Sequence, residues 1–314
     1  MLLQELQKPY GPLLMEVEDR IQATLLDGAD SDLISLIKAA PILGGKKVRA
    51  TFFFMMLALT KEVKTDAISL AAAIEMIHQA SLIHDDVLDH AVMRRDRPTL
   101  HHVVDNTQAV LAGDYLLIRA LELVQSVGSR DFMERFLAAT RNLIVGQIAD
   151  MKPTSSIGQF FDRYIGTLEL KTGSLFAAAA ELAAALKGQD RQTCMDCHAF
   201  GLSLGVLFQL QDDVLDLFSV NTGKDRWSDL REGKWTLPTL LLREYVPESD
   251  IFPFREERIA LLDTALTENK IEMRCRQMID RFHRQAKAKA SEIPAAIDRE
   301  KVYGLIDYVC QRER

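Results

Sequence analysis

The sequence predicts an all-α protein, one large bundle of about a dozen helices. Three observations carry that prediction. Long Ala- and Leu-rich runs repeat their apolar residues at three- and four-residue spacing. No segment shows the clean period-two alternation of a half-buried strand, and hairpin words are few. Several of the helical runs are apolar nearly all round, which suits helices buried inside a large bundle.

Taken in order, the principal helical runs are "SDLISLIKAA", "DAISLAAAIEMIHQASLIHDDVLD" and "NTQAVLAGDYLLIRALELVQSV". They are followed by "FFDRYIGTLELKTGSLFAAAAELAAAL" and "DRQTCMDCHAFGLSLGVLFQL". Gly, Pro and polar clusters punctuate them at Pro41–Lys47, Met93–Thr99, Met151–Gly158, Lys187–Arg191, Ser219–Pro238 and Tyr245–Glu257. None is long or biased enough to be a linker, so residues 1–314 read as a single domain.

Of the 314 residues, 48% are hydrophobic and 26% charged, the composition of a globular protein. A net charge of −7 argues against a nucleic-acid surface. The apolar stretch Phe52–Leu59 falls far short of the roughly 18 residues of a membrane span. No basic segment or cleavage-like site marks the start, so the expected location is the cytoplasm, without stable membrane insertion. The four cysteines, Cys194, Cys197, Cys275 and Cys310, are expected as reduced thiols. "CMDCH" (Cys194–His198) matches a haem-attachment word, but it sits inside a helical run and no export signal accompanies it. No second Cys pair makes it a zinc site.

The pentapeptide "DDVLD" occurs twice, at Asp85–Asp89 and at Asp212–Asp216. On a helix, residues three and four apart are neighbours. Asp85, Asp86 and Asp89 therefore project a carboxylate cluster from one side, and so do Asp212, Asp213 and Asp216. A solvated acidic face would carry basic partners at i±4, whereas these words carry Val and Leu and have apolar flanks. Clustered carboxylates beside an apolar wall repel and resist desolvation. A cation among them resolves both costs, and an all-oxygen set suits Mg²⁺, which takes one or two carboxylates together with phosphate oxygens.

Basic residues follow both words. Arg94, Arg95 and Arg97 lie just beyond the first; Lys224 and Lys234 lie beyond the second. Lys46 and Arg49 sit beside two glycines, and Lys171 interrupts an apolar helix. Such placement suggests an anion shared between metal and cations, most simply a diphosphate. Six aspartates would balance about three Mg²⁺, leaving about three basic side chains for the diphosphate. "ILGGKKVRA" is not a P-loop, because it lacks the Lys-Ser/Thr ending and a preceding strand.

From about Gly44 to Pro238 these elements together resemble the trans-prenyltransferases, the polyprenyl diphosphate synthases of the isoprenoid synthase fold. The resemblance implies helices around a central cavity and a Mg²⁺-dependent elongation of an allylic diphosphate by isopentenyl diphosphate. It implies that Lys46, Arg49, His78 and Arg95 hold the isopentenyl diphosphate. Arg94, Lys171 and Lys224, with Lys234 nearby, would grip the allylic diphosphate. Asp85, Asp89 and Asp212 would be direct metal ligands; Asp86, Asp213 and Asp216 would support them partly through water. Thr172 and Gln209 would lie near the reacting carbons. His84 and His90 match no such role. Two positions depart from the family pattern: Asp96 stands where Gly is usual, and Ala50 where Pro is frequent. A homodimer is also implied, and the run Asn106–Val127 offers an apolar face for it.

Product length should follow the helix before Asp85. Ser81, Ala80, Ile77 and Ile74 line that face, and none near the mouth is bulky. Ile74 lies roughly 16 Å deeper at 1.5 Å per residue. A product beyond fifteen carbons is therefore expected, thirty or more first and twenty second. A modulating subunit would have no need of two intact acidic words. A terpene cyclase would have no need of the Lys46, Arg49 and His78 site.

Overall fold

The structure is a computed structural model that describes residues 2–39, 45–58, 65–94, 97–151, 160–218, 227–293 and 297–312. Within them the helices are α1 (Leu3–Gln7), α2 (Gly11–Leu26), α3 (Ser31–Ala39), α4 (Val48–Leu57), α5 (Thr65–Leu88) and α6 (Leu100–Val103). There follow α7 (Asn106–Ser126), α8 (Arg130–Asp150), α9 (Phe160–Leu168), α10 (Ser174–Leu186), α11 (Arg191–Phe218) and α12 (Ser228–Arg231). The last are α13 (Leu237–Leu242), α14 (Glu248–Ile251), α15 (Ile259–Glu268), α16 (Ile271–Glu292) and α17 (Arg299–Gln311). Five span six residues or fewer, so twelve carry the bundle, which is the dozen expected. One strand pair does exist: β1 (Met93–Arg94) and β2 (Arg97–Pro98) form a two-residue antiparallel ladder that the pattern is too short to announce.

The centre is built from α4, α5, α10 and α11. Residues Val48–Met56 of α4 are all buried, and Phe52, Phe53 and Phe54 have no exposed surface. Each such phenylalanine contributes about 1.5–3 kcal/mol of burial. Phe52 meets Phe176 and Phe200 at centroid distances of 5.9 and 5.6 Å, which joins α4 to α10 and α11. The Ala-rich α10 lies close against α11 because two glycines clear the way. A Cβ on Gly201 would stand 2.5 Å from the Phe176 carbonyl oxygen, and one on Gly205 2.6 Å from Gly173 Cα.

The long helices α5 and α11 carry the acidic words in their last turns, where neither has a basic residue. A helix C-terminus is the negative end of its dipole and disfavours carboxylates. Both words therefore sit where a cation is most useful. His84 faces the other way: its Nε2 approaches the Val110 carbonyl (3.2 Å) and Asp114 (3.4 Å) and fills the space over Gly113, so it joins α5 to α7. Among the described residues no helix is long and apolar enough to cross a membrane.

"CMDCH" lies in the first turns of α11. Cys194 and Cys197 are buried free thiols, and burial pushes Cys197 up to about 12. His198 pairs with Glu181 at 2.8 Å. The word is helix packing.

Candidate active site

The segment that follows the second word reaches the first. Lys234, which follows the second word, reaches Asp89 of the first at 2.6 Å and Glu232 at 2.7 Å. Burial would pull Lys234 down, but Glu232 and Asp89 outweigh it and hold the ammonium protonated. Arg94, placed by β1, donates its Nε to Asp86 at 2.6 Å. Lys171 donates to Asp150 at 2.7 Å. Three of the cations that the sequence assigns to an anion, Arg94, Lys171 and Lys234, are thus each hydrogen-bonded to a carboxylate.

The six aspartates differ in environment. In the first word Asp86 is 4% exposed and engaged by Arg94, while Asp85 and Asp89 are half-buried. Burial pushes the Asp85 carboxyl up against the pull of Lys171, with Asp89 adding to the rise. In the second word, Asp213 and Asp216 are buried and committed to protein donors. Asp213 accepts from Tyr164 Oη, from Gln209 Nε2 (3.0 Å) and from the Leu237 amide (3.3 Å). Asp216 accepts from Ser228 Oγ and from the Asp229 amide (3.3 Å), so it caps the short α12. Asp212 alone of this word is open, its side chain 43% exposed, and it pairs with Arg312 at 2.6 Å.

Thr172 and Gln209 are hydrogen-bonded to each other. Thr172 Oγ1 donates to Gln209 Oε1 at 2.9 Å, and Gln209 passes the chain on to Asp213. The apparent continuous helix through "TLELKTGSL" is broken by a π-turn at Glu169–Gly173, which carries Lys171 and Thr172. Such single-turn widenings often mark functional positions. Gly146 of α8 makes room for it: a Cβ there would stand 2.4 Å from the Lys171 amide nitrogen. Gly146→Ala is expected to cost about 1–3 kcal/mol through overpacking, read as a lower urea midpoint. Gly166→Ala, on α9 with nothing within 4 Å, serves as the control and should not destabilise.

On α4, Arg49 is buried with its guanidinium carbon 4.8 Å from the Phe176 ring centroid. The departure at Ala50 has a use. Its amide donates to the buried Glu75 carboxylate at 2.8 Å, a bond that proline cannot make. Lys46 precedes α4, and His78 lies two turns before Asp85 on α5, its carbonyl accepting from Ser81 Oγ at 2.8 Å. Ala80, Ile77 and Ile74 are 4%, 2% and 0% exposed and Ser81 is half-buried. Arg95, Asp96 and Lys224 lie outside the described residues.

Four contributors escape the sequence reading. Asp150 follows Gly146 by one helical turn in "GQIAD", a glycine and a carboxylate on one face that could have flagged it. Tyr164, Ser228 and Arg312 reach their aspartates across 49, 12 and 100 residues, and nothing local signals those pairings.

Burial pushes Asp213 up to about 7, although Tyr164, Gln209 and Leu237 all pull it down. A folded-state value above the unfolded one of about 3.9 makes stability fall as pH rises from about 4 to 7, by up to about 1.4 kcal/mol per pH unit. Asp213→Asn should remove that slope from a series of urea melts across this range.

Among the described residues no three His, Cys, Asp or Glu side chains form a ready-made metal cage. Asp85, Asp89 and Asp212 are the open oxygen donors, and the desolvated Asp85 would gain most from a cation. A separate surface cleft of about 370 Å³, lined by Glu16, Asp19, Arg20, Ala23, Thr65 and Ile68, includes none of these residues.

The bundle ends two long helices in carboxylate words, and Arg94 and Lys234 pair with the first of them. The polyprenyl synthetase family model matches residues 32–252, and the chain belongs to that family of prenyltransferases. It is 36% identical to a decaprenyl-diphosphate synthase of Dictyostelium discoideum over 66% of this chain and 45% of that one. It is 32% identical to a nonaprenyl diphosphate synthase of Mycobacterium tuberculosis over 86% of this chain and 83% of that one. A polyprenyl synthase of Caulobacter crescentus CB15, solved with calcium and isoprenyl diphosphate, superposes with a TM-score of 0.89 at 28% identity, covering 100% of this chain and 98% of that one.

Proposed function

We propose that the protein joins isopentenyl diphosphate to an allylic diphosphate and releases diphosphate, giving a trans-polyprenyl diphosphate of thirty carbons or more. The observation that carries this reading is the Lys234–Asp89 pair, in which a cation that follows the second acidic word is held by a carboxylate of the first. The names of the decaprenyl and nonaprenyl relatives favour the long product.

Asp85, Asp89 and Asp212 would hold Mg²⁺, three ions by the charge balance above, with Asp86, Asp213 and Asp216 fixing their positions. When bound, the metal supplies electrostatic stabilisation of the departing diphosphate. Arg94, Lys171 and Lys234 exchange their carboxylate partners for phosphate oxygens and, together with Lys224, stabilise the same charge. Lys46, Arg49, His78 and Arg95 hold the isopentenyl diphosphate so that its double bond faces the allylic carbon. Thr172 and Gln209 orient dipoles toward the developing cation, and the apolar wall of Ala80, Ile77 and Ile74 keeps water from it. The proton released after bond formation passes to the departing diphosphate.

The chain functions in this reading as one cytoplasmic domain, 1–314, paired as a homodimer. Leu111 and Ile118 on α7, with Ile144 and Ile148 on α8, are large apolar side chains about half exposed, and a second copy would cover them.

The deciding experiment is incubation with Mg²⁺, labelled isopentenyl diphosphate and allylic primers of five to twenty carbons, with a chelator control. Chelator-sensitive elongation past twenty carbons is expected. Absence of elongation with every primer would sink the enzymatic reading; a product stopping at twenty carbons would sink the long-chain part alone.

A further inference from the structure

Arg312, in the turn that ends α17, is seated on the second acidic word. Its Nη2 donates to Asp212 Oδ1 at 2.6 Å and to the Phe208 carbonyl at 2.7 Å. Its guanidinium carbon lies 3.8 Å from the centroid of the Phe208 ring. Gln211 Nε2 donates back to the Arg312 carbonyl at 3.0 Å. One turn of α11, Phe208 to Asp212, thus forms the whole seat. The Arg312 side chain is 7% exposed, against 43% for Asp212.

The seat blocks the one carboxylate that matters. Asp213 and Asp216 are committed to Tyr164, Gln209, Leu237, Ser228 and Asp229. Asp212 is the open donor of this word, and a guanidinium already occupies one of its oxygens. A divalent ion and a guanidinium on one carboxylate repel each other. The Arg312 Nε is also buried without a hydrogen-bond partner among the described residues, so the seated pose leaves one donor unsatisfied. That deficit favours release once Asp212 has another cation.

We propose that Arg312 is a tethered counter-cation of Asp212, which a divalent ion must displace in order to bind at the second acidic word. Arg312 thereby sets how readily that word is loaded, while the first word, paired with Arg94 and Lys234, loads independently of it. The inference rests on the reading of Asp212 as a metal ligand.

Mn²⁺ binding to the full chain, without substrate and followed by electron paramagnetic resonance, tests it. The site that Asp212→Asn removes from the wild-type isotherm is the one at issue. Arg312→Ala should tighten Mn²⁺ at that site about fivefold and leave the remaining sites unchanged. Arg312→Gln, which keeps much of the stem over Phe208 without the charge, should do the same. Unchanged or weaker binding in both variants overturns the proposal, since Arg312 would then be inert or would help to position Asp212. A shift in the Ala variant alone also overturns it, because packing and not charge would be the cause. If wild type and Asp212→Asn bind Mn²⁺ alike, Asp212 is no ligand, and the reading on which the proposal rests fails separately.

Discussion

Asp85→Asn is expected to lower the elongation rate by about 10³-fold while leaving the fold as stable as before, or more so. Asp85 is held in a desolvated position that raises its carboxyl, and only Lys171, Lys234 and Arg94 offset the cost. On the proposed reading, neutralising it removes a ligand of an ion that would supply several kcal/mol of stabilisation to the departing diphosphate, and each 1.36 kcal/mol is tenfold in rate. The folded protein loses nothing comparable, because no protein donor among the described pairings depends on Asp85. Asp216→Asn should behave in the opposite sense. Asp216 accepts from Ser228 Oγ and the Asp229 amide, so losing its charge costs about 1–3 kcal/mol of stability. Initial rates of label incorporation at saturating Mg²⁺, set beside thermal melts of both variants, check the contrast. If the two variants show the same profile, the carboxylates are not divided into ligands and supports in this way.

That division is also where reading the sequence runs out. Two identical pentapeptides share their register on helices and their nearness to cations by spacing alone, and only the family resemblance gives Asp89 and Asp216 different expected duties. Yet the second aspartate of the first word meets Arg94, eight residues on, while its counterpart meets Tyr164, 49 residues back. The third meets Lys234 in one copy and the start of α12 in the other. Identical letters acquire different duties because the partners arrive from other helices, and no local pattern encodes an arrival. The π-turn at Glu169–Gly173 is hidden for a related reason. "ELKTGS" has ordinary helical residues, and its widening is matched to the close approach of α8 that Gly146 permits. What was legible are features whose physics is local: the periodicity of α5 and α11, the acidic turns, and the basic residues that follow them. Ala50 shows the two levels together. Read alone it is a lapse from a family pattern; in the fold it supplies the amide that buried Glu75 requires.

Ala80→Phe is expected to shorten the product to fifteen carbons or fewer while the first condensation proceeds near its original rate. Ala80 lies five residues before Asp85 and is 4% exposed, so the wall there is small but already enclosed. A phenyl ring added at this level projects within about 8 Å of the carboxylate along the helix, whereas Ile74 lies about 16 Å away. A growing chain would meet the ring after about two or three isoprene units. The diphosphate grips, on the rim beyond, are untouched. Inserting a ring into a packed wall also risks about 1–3 kcal/mol of strain, so chain length must be read from protein whose melting temperature shows it to be folded. Ile74→Ala supplies the complementary measurement. If α5 gauges the product, removing Ile74 lengthens the longest chain and has no effect on the first steps. A folded Ala80→Phe variant that makes the wild-type product would show that the chain grows along some other helix, and would leave the diphosphate clamp, which rests on different residues, standing.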